Sequence, residues 1–226
     1  MHFLTEALSF IFSAAEWTGP QGIGARLTAH LGYSALAVLI AAAVALPVGI
    51  ALGHSGRGLS TVVAAAGALR ALPSLGLLTW LSLELSFGVR LPVIPAVIVL
   101  AILAIPPMLA GTVTGVGALD RAVVDSARAA GFSEPQIIGK VELPLAAPAI
   151  VGGIRSATVQ VIATATIVAY IGLSGLGRYL IDGLALRDYP QMLVGALLVA
   201  VLALAIDGAF AAVQRLVRPP GVAAAG

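Results

Sequence analysis

The residue types that run most catalytic chemistry are thin in this chain. It has no cysteine, which removes disulfides, thiolate chemistry and Cys-based metal sites. Its three histidines, His2, His30 and His54, are scattered over the N-terminal quarter. No Ser/His, paired-Asp or His-metal set falls inside the long apolar runs, so an intramembrane enzyme lacks its machinery. There is no Gly-x-x-x-x-Gly-Lys-Ser/Thr loop to cradle a nucleotide phosphate. What remains are isolated polar groups within apolar stretches. Ser156, Gln160 and Thr164 are each four residues from the next and share one helical stripe. Polar groups in lipid are costly and turn toward protein or a water-filled path. This stripe is therefore the candidate lining of a translocation path, and its chemistry is hydrogen bonding rather than bond making.

Thr158 and Thr166 fall on another face with Arg155, suited to a neighbouring helix or to their own backbone. Arg155 reads as a structural anchor, with Glu142 and Asp207 as its candidate carboxylates. Arg70, just before Pro73, suits broken-helix carbonyls or an interface. Only 5% of residues are aromatic, and no cluster of rings forms a cage for a quaternary ammonium.

The elements that position these groups follow from composition. Of 226 residues, 60% are hydrophobic and 10% charged, against about 45–50% and about 25% in soluble domains. A globular fold leaves too much surface facing water to hide this apolar content. A soluble domain, a disordered chain and a nucleic-acid binder are excluded. Five apolar stretches, 31–53, 59–83, 91–114, 146–171 and 190–213, are long enough for a bilayer core of about 30 Å. They are too uniformly apolar for barrel strands. The expected fold is all-α and membrane-embedded, with five transmembrane helices. Residues 1–26 form an N-terminal segment with an interfacial helix ending near Trp17, and no basic region precedes it as in a secretory signal. Residues 27–213 form the membrane domain and 214–226 a tail.

Charge sets the orientation. With the N-terminus outside, the inner side holds Arg57, Arg121, Arg128, Lys140, Arg215 and Arg218, and the outer side Arg26, Arg90, Arg178 and Arg187. Gly49 and Gly53, and Gly111 and Gly115, sit four apart near span ends, a spacing that lets helices approach closely within a subunit or between subunits.

The stretch 120–144 is the one long polar segment. Asp120 can cap a helix over 121–130, and Gly131 suits a left-handed stop. Ser133 restarts the chain, with Gln136 as capping-box partner and Pro135 in the first turn. Pro144 is expected to close this second helix. The result is a stiff elbow with Phe132 at the bend. Ile171 to Pro190 reads as a Gly-punctuated external segment, long enough for a lid or scoop and able to contact a delivery protein.

The elbow resembles the EAA loop of bacterial ABC-importer permeases: Glu-Ala-Ala, three residues, Gly, nine residues, Ile, one residue, Leu-Pro. Here Asp125-Ser126-Ala127, Gly131, Val141 and Leu143-Pro144 stand at those spacings. Asp, Ser and Val replace Glu, Ala and Ile. Arg70-Ala71-Leu72-Pro73 is similar to an Arg-x-x-Pro element of the methionine-type importer fold. Gly172-Leu173-Ser174-Gly175-Leu176-Gly177 is similar to its Gly-rich external turn. The run 153–162, and Asp182-Gly183-Leu184-Ala185 with Asp188-Tyr189, resemble permeases for glycine betaine, choline and carnitine.

The resemblance implies a type I importer permease in a bacterial inner or plasma membrane, with a cytoplasmic C-terminus. It implies that Asp125, Ser126, Ala127, Gly131, Phe132, Val141, Leu143 and Pro144 dock an ATPase. It gives Gly172, Gly175, Gly177 and Arg178 as the external gate or binding-protein contact. The implied partners are two ATPase subunits, a second permease copy or paralogue, and an extracytoplasmic binding protein. ATP and Mg would belong to the ATPase, and this chain would carry no cofactor or metal and perform no catalysis. Methionine or another amino-acid-like solute is the alternative cargo. A passive channel would need no such docking loop.

Overall fold

The structure is a computed structural model and describes residues 2–56, 62, 64, 67–68 and 72–217. The elements, in order, are α1 (His2–Phe12), a 3-10 turn (Ala14–Trp17), α2 (Ile23–Ser55), α3 (Ser74–Glu84) and α4 (Val93–Gly117). There follow α5 (Arg121–Ala129), α6 (Glu134–Ile137), a π turn (Ile138–Glu142) and α7 (Leu143–Thr164). A 3-10 segment (Ala165–Ile171), α8 (Gly177–Leu186) and α9 (Tyr189–Leu216) complete the chain. Among the described residues, four helical stretches are long and apolar enough to cross a membrane: Ile23–Ser55, Val93–Gly117, Glu134–Ile171 and Tyr189–Leu216. The remaining expected span, 59–83, is described over only part of its length, where it contains the first turns of α3. Arg57, Arg70 and Arg218 lie outside the described residues, as does most of the tail.

Helix α4 is the centre. Ala96, Val99, Leu100, Ala104 and Met108 are fully buried, and α2 and α7 flank it. Both seams depend on missing side chains. A Cβ on Gly49 or Gly53 would meet Thr112 or Val116 of α4 at 2.7 Å. A Cβ on Gly111 would stand 2.7 Å from the Gly153 Cα, and one on Gly115 would be 2.7 Å from the Ala149 Cβ. The spaced glycines thus set helix approach within one subunit, with backbone against backbone where Gly111 meets Gly153. On its other side α7 packs on α9, which carries α1 and α8. The outer faces of α2 and α9 are apolar and exposed, with Leu39 at 67% and Leu204 at 71%. Such faces suit lipid or another membrane subunit.

One expectation is corrected. Pro144 does not close a helix: the chain is helical without interruption from Glu134 to Ile171. Proline lacks an N–H and its ring crowds the carbonyl four residues back. Here the π turn widens the helix just before it, and the Leu143 N–H bonds the Ile138 carbonyl five residues back. The Gly-punctuated segment Ile171–Pro190 is more than a plain connecting loop. It contains α8, whose Gly183 packs closely on Met192 and Asp188 of the α9 entry.

Candidate functional site

The elbow is built as its residues dictate. Asp120 Oδ1 accepts from the Ala122 N–H at 2.9 Å and caps α5. Gly131 has φ +86°, and no heavy atom lies within 4 Å of where its Cβ would be. The Gly131 N–H bonds the Arg128 carbonyl at 3.0 Å and the Phe132 N–H bonds Ala127 at 3.2 Å. This 5→2 and 6→1 pair is a Schellman stop. Gln136 Oε1 then accepts from the Ser133 N–H at 2.9 Å. Val124 and Ile137 are buried inside the elbow.

Arg128 locks the two limbs. It donates to Glu134 through Nε at 2.7 Å and Nη2 at 3.0 Å, and to Asp125 through Nη1 at 2.8 Å. Hydrogen bonding and charge from Glu134 hold its guanidinium pKa above the ordinary value. The pair is exposed and adds little stability, but its two-point geometry fixes the angle between limbs. Asp125, Ser126, Gly131, Phe132 and Pro144 are exposed, whereas Ala127, Val141 and Leu143 are half-buried. Phe132 is a large exposed apolar group at the tip.

The root of the elbow carries a contact that sequence reading missed. His54, at the end of α2, places Nδ1 2.8 Å from Glu142 Oε2 and Nε2 3.3 Å from Glu134 Oε2. Glu142 is only 2% exposed. Eighty-eight positions separate His54 from Glu142, so no local pattern announces the pair.

The polar stripe divides. Gln160 donates its amide to the Leu103 carbonyl of α4 at 3.2 Å. Ser156 is exposed and borders a surface cavity with Arg155, Val159, Asp207 and Gln214. Thr164 is half-buried where the helix tightens into 3-10 form. Thr158 and Thr166 bond their own backbone, to Ile154 and Ala163. Arg155 takes Asp207 rather than Glu142, with two bonds of 2.6 Å.

At the opposite end, the Gly-rich turn is held from inside. Tyr33 donates to the Ser174 carbonyl at 2.8 Å, and fully buried His30 bonds the Ile162 carbonyl at 3.0 Å. Gly172 and Gly175 have φ +87° and +138°. Gly175 and Gly177 are buried against Tyr33 and the Thr166 carbonyl, while Gly172 is exposed. Arg178 pairs with Asp182 at 2.6 Å and reaches the Ala169 carbonyl at 3.3 Å, so it staples α8 to the 3-10 segment. Nearby, a cavity of about 730 Å³ opens among α1, the 3-10 turn after it and the α9 entry. Glu6, Glu16, Arg26, Tyr179 and Asp188 line it, with Arg26 4.4 Å above the Tyr179 ring. Among the described residues, no group of three His, Cys, Asp or Glu side chains could hold a metal.

The described residues form a bundle of long apolar helices seamed by glycine, with a rigid polar elbow at one end. Residues 45–219 match the binding-protein-dependent transport system inner membrane component family, and the chain belongs to it. It is 33% identical over 193 residues to the choline transport system permease protein OpuBB of Bacillus subtilis, covering 85% of this chain and 87% of that one. It is 36% identical over the same shares to the carnitine transport permease protein OpuCB of Listeria monocytogenes. Its fold superposes on a chain of the inward-facing MetNI methionine ABC transporter with a TM-score of 0.75 at 20% identity, covering 88% of this chain and 98% of that one.

Proposed function

We propose that this chain is the permease subunit of an ATP-driven importer for quaternary-ammonium osmoprotectants such as choline, carnitine and glycine betaine. The observation that carries the reading is the identity to choline and carnitine permeases across 85% of the chain. In this reading five spans cross the membrane, with the N-terminus outside and the elbow and C-terminus in the cytoplasm. Two permease chains enclose the path. Two separate ATPase subunits hold ATP and Mg and grip the exposed Phe132 tip and the Asp125-Ser126-Ala127 face. Hydrolysis alternates the path between its two openings, because ATP binds one state more tightly than the other. Ser156, Gln160 and Thr164 line or brace the path. The turn at Gly172, Gly175 and Gly177, stapled by Arg178, meets the delivery protein.

The test is reconstitution in proteoliposomes with a partner ATPase and binding protein from the same organism. ATP-dependent uptake of a labelled quaternary ammonium is the expected result. Uptake of methionine with none of choline, carnitine or glycine betaine would overturn the cargo assignment.

A further inference from the structure

We propose that the Arg155–Asp207 pair is a binding station for cargo within the path, and that it takes small zwitterions carrying a carboxylate and a quaternary ammonium in preference to simple cations. The inference rests on the permease reading above and deepens it. Its basis is an ion pair that stands within two long apolar helices and opens onto a cavity. Arg155 lies about 18 Å along α7 from Leu143, and Asp207 about 13 Å before the end of α9 at Leu216. Their side chains are 31% and 38% exposed. Charges at such depth face protein or water-filled space rather than hydrocarbon, and they mark solute pathways. The cavity, of about 430 Å³, is lined by Gly152, Arg155, Ser156, Val159, Asp207 and Gln214. One positive and one negative group stand in its wall, so the complementary solute carries both signs. Gln160 turns to α4, which leaves Ser156 as the member of the polar stripe at this cavity.

The donors are arranged for exchange. Asp207 accepts from Arg155 Nε and Nη2, each at 2.6 Å. Arg155 Nη1 reaches Gln214 Oε1 at 3.5 Å, the outer limit of a hydrogen bond. Gln214 is itself held by its amide, which donates to the Pro148 carbonyl at 2.8 Å. Nη1 and the exposed Ser156 hydroxyl are thus the foothold for an incoming carboxylate, which then takes over the guanidinium fork. Asp207, released from the fork, faces the ammonium of the same solute. A quaternary ammonium has no N–H to donate, so this contact is one of charge alone. One ion pair becomes two and neither residue is stranded, which avoids the cost of an unpaired, partly buried charge. A simple cation such as choline brings no carboxylate. It competes with Arg155 for Asp207 and strands the guanidinium. Because the closed pair must open each time, binding is weak enough for the solute to leave again, as a path requires.

The experiment measures equilibrium binding of labelled glycine betaine and labelled choline to the permease–ATPase complex, purified in a non-ionic detergent without its delivery protein. The path's own preference is then read. Wild type should bind glycine betaine about tenfold more tightly than choline, the gain of one charge-assisted contact. This arm needs no variant. Arg155→Gln combined with Asp207→Asn strands neither charge, and its melting temperature checks the fold. The double variant should bind glycine betaine no better than choline, and its glycine betaine uptake in proteoliposomes should fall about tenfold. A double variant with wild-type binding and uptake makes the pair structural and overturns the proposal. A wild-type complex that binds both solutes equally, or neither, overturns it too. So does binding competed by added phosphatidylcholine, which would make the cavity a lipid-headgroup site. So does a double variant whose permease chains separate, which would make the pair an interface between copies. Wild-type uptake of glycine betaine with the delivery protein present leaves the importer reading intact in each of these cases. A wild-type transporter that takes up no quaternary ammonium removes both.

Discussion

Gln160 donates its side-chain amide to the Leu103 carbonyl, the group that Pro107 leaves without its usual helical partner. A defect in α4 is thus repaired from α7. Gln160→Leu should cost about 0.6–1.7 kcal/mol, the range for interhelical bonds in membranes. In a Pro107→Ala background the new N–H satisfies Leu103, and the same substitution should cost less. Thermal unfolding of the four proteins in detergent closes the cycle. Equal costs in both backgrounds would show that the bond contributes nothing.

Gly131→Asp should leave membrane abundance unchanged while reducing ATPase co-purification and uptake. Its φ of +86° costs a Cβ-bearing residue about 1–2 kcal/mol. No atom outside its chain neighbours lies within 4 Å of the new Cβ, so the damage should be confined to the turn and to whatever docks there. Gly131→Asn, which tolerates this conformation better, should be milder. Co-purification and uptake in the same cells give the comparison.

Gly111→Ala should destabilise the α4–α7 seam by about 1–3 kcal/mol, because its Cβ would meet the Gly153 backbone, which cannot rotate away. Gly208→Ala, with nothing within 4 Å of its Cβ, should be neutral or slightly stabilising. Melting temperatures of the two variants make the contrast.

Cysteines at Ser133 and Ser174, both exposed, should react with impermeant thiol reagents from opposite sides of the membrane. The cytoplasmic side is expected for Ser133 and the outside for Ser174. Labelling of intact cells against opened vesicles reads this directly, and reversed labelling would remove the elbow from the ATPase.

Arg155→Gln should weaken the α7–α9 contact, and adding Asp207→Asn should recover much of the loss by removing the stranded carboxylate. Both groups are partly exposed, so the effect is a shift of a few degrees in melting rather than unfolding.

Much of this was legible in the sequence because it is local. Asp120, Gly131 and Gln136 do what capping chemistry requires of them. Apolar length alone marked the long helices. Pro144 misled because a proline usually ends a helix, and whether a π turn absorbs it depends on the geometry of the turn before it. Helix α8 was hidden by glycines on both sides, although Arg178 and Asp182 stand at the i, i+4 spacing of a helical pair. The Gln160–Leu103 bond had a readable half, since Pro107 announces an orphaned carbonyl, but the identity of the donor depends on helix packing. The His54 contacts had no local half to read.

The unbroken helix from Glu134 to Ile171 also constrains how the gene can change length. Deleting one residue from a helix turns everything beyond it by about 100°. Along α7 that would swing Arg155 away from Asp207 and Gly153 away from Gly111, so single-codon deletions there should be as damaging as truncations. The π turn is the exception. It holds one more residue than an α turn needs, and exposed Gly139 lies within it. Loss of that codon should let the turn relax to α geometry, leaving α7 seated in the membrane and the elbow close to its present aim, so this is the one deletion along the helix expected to be tolerated.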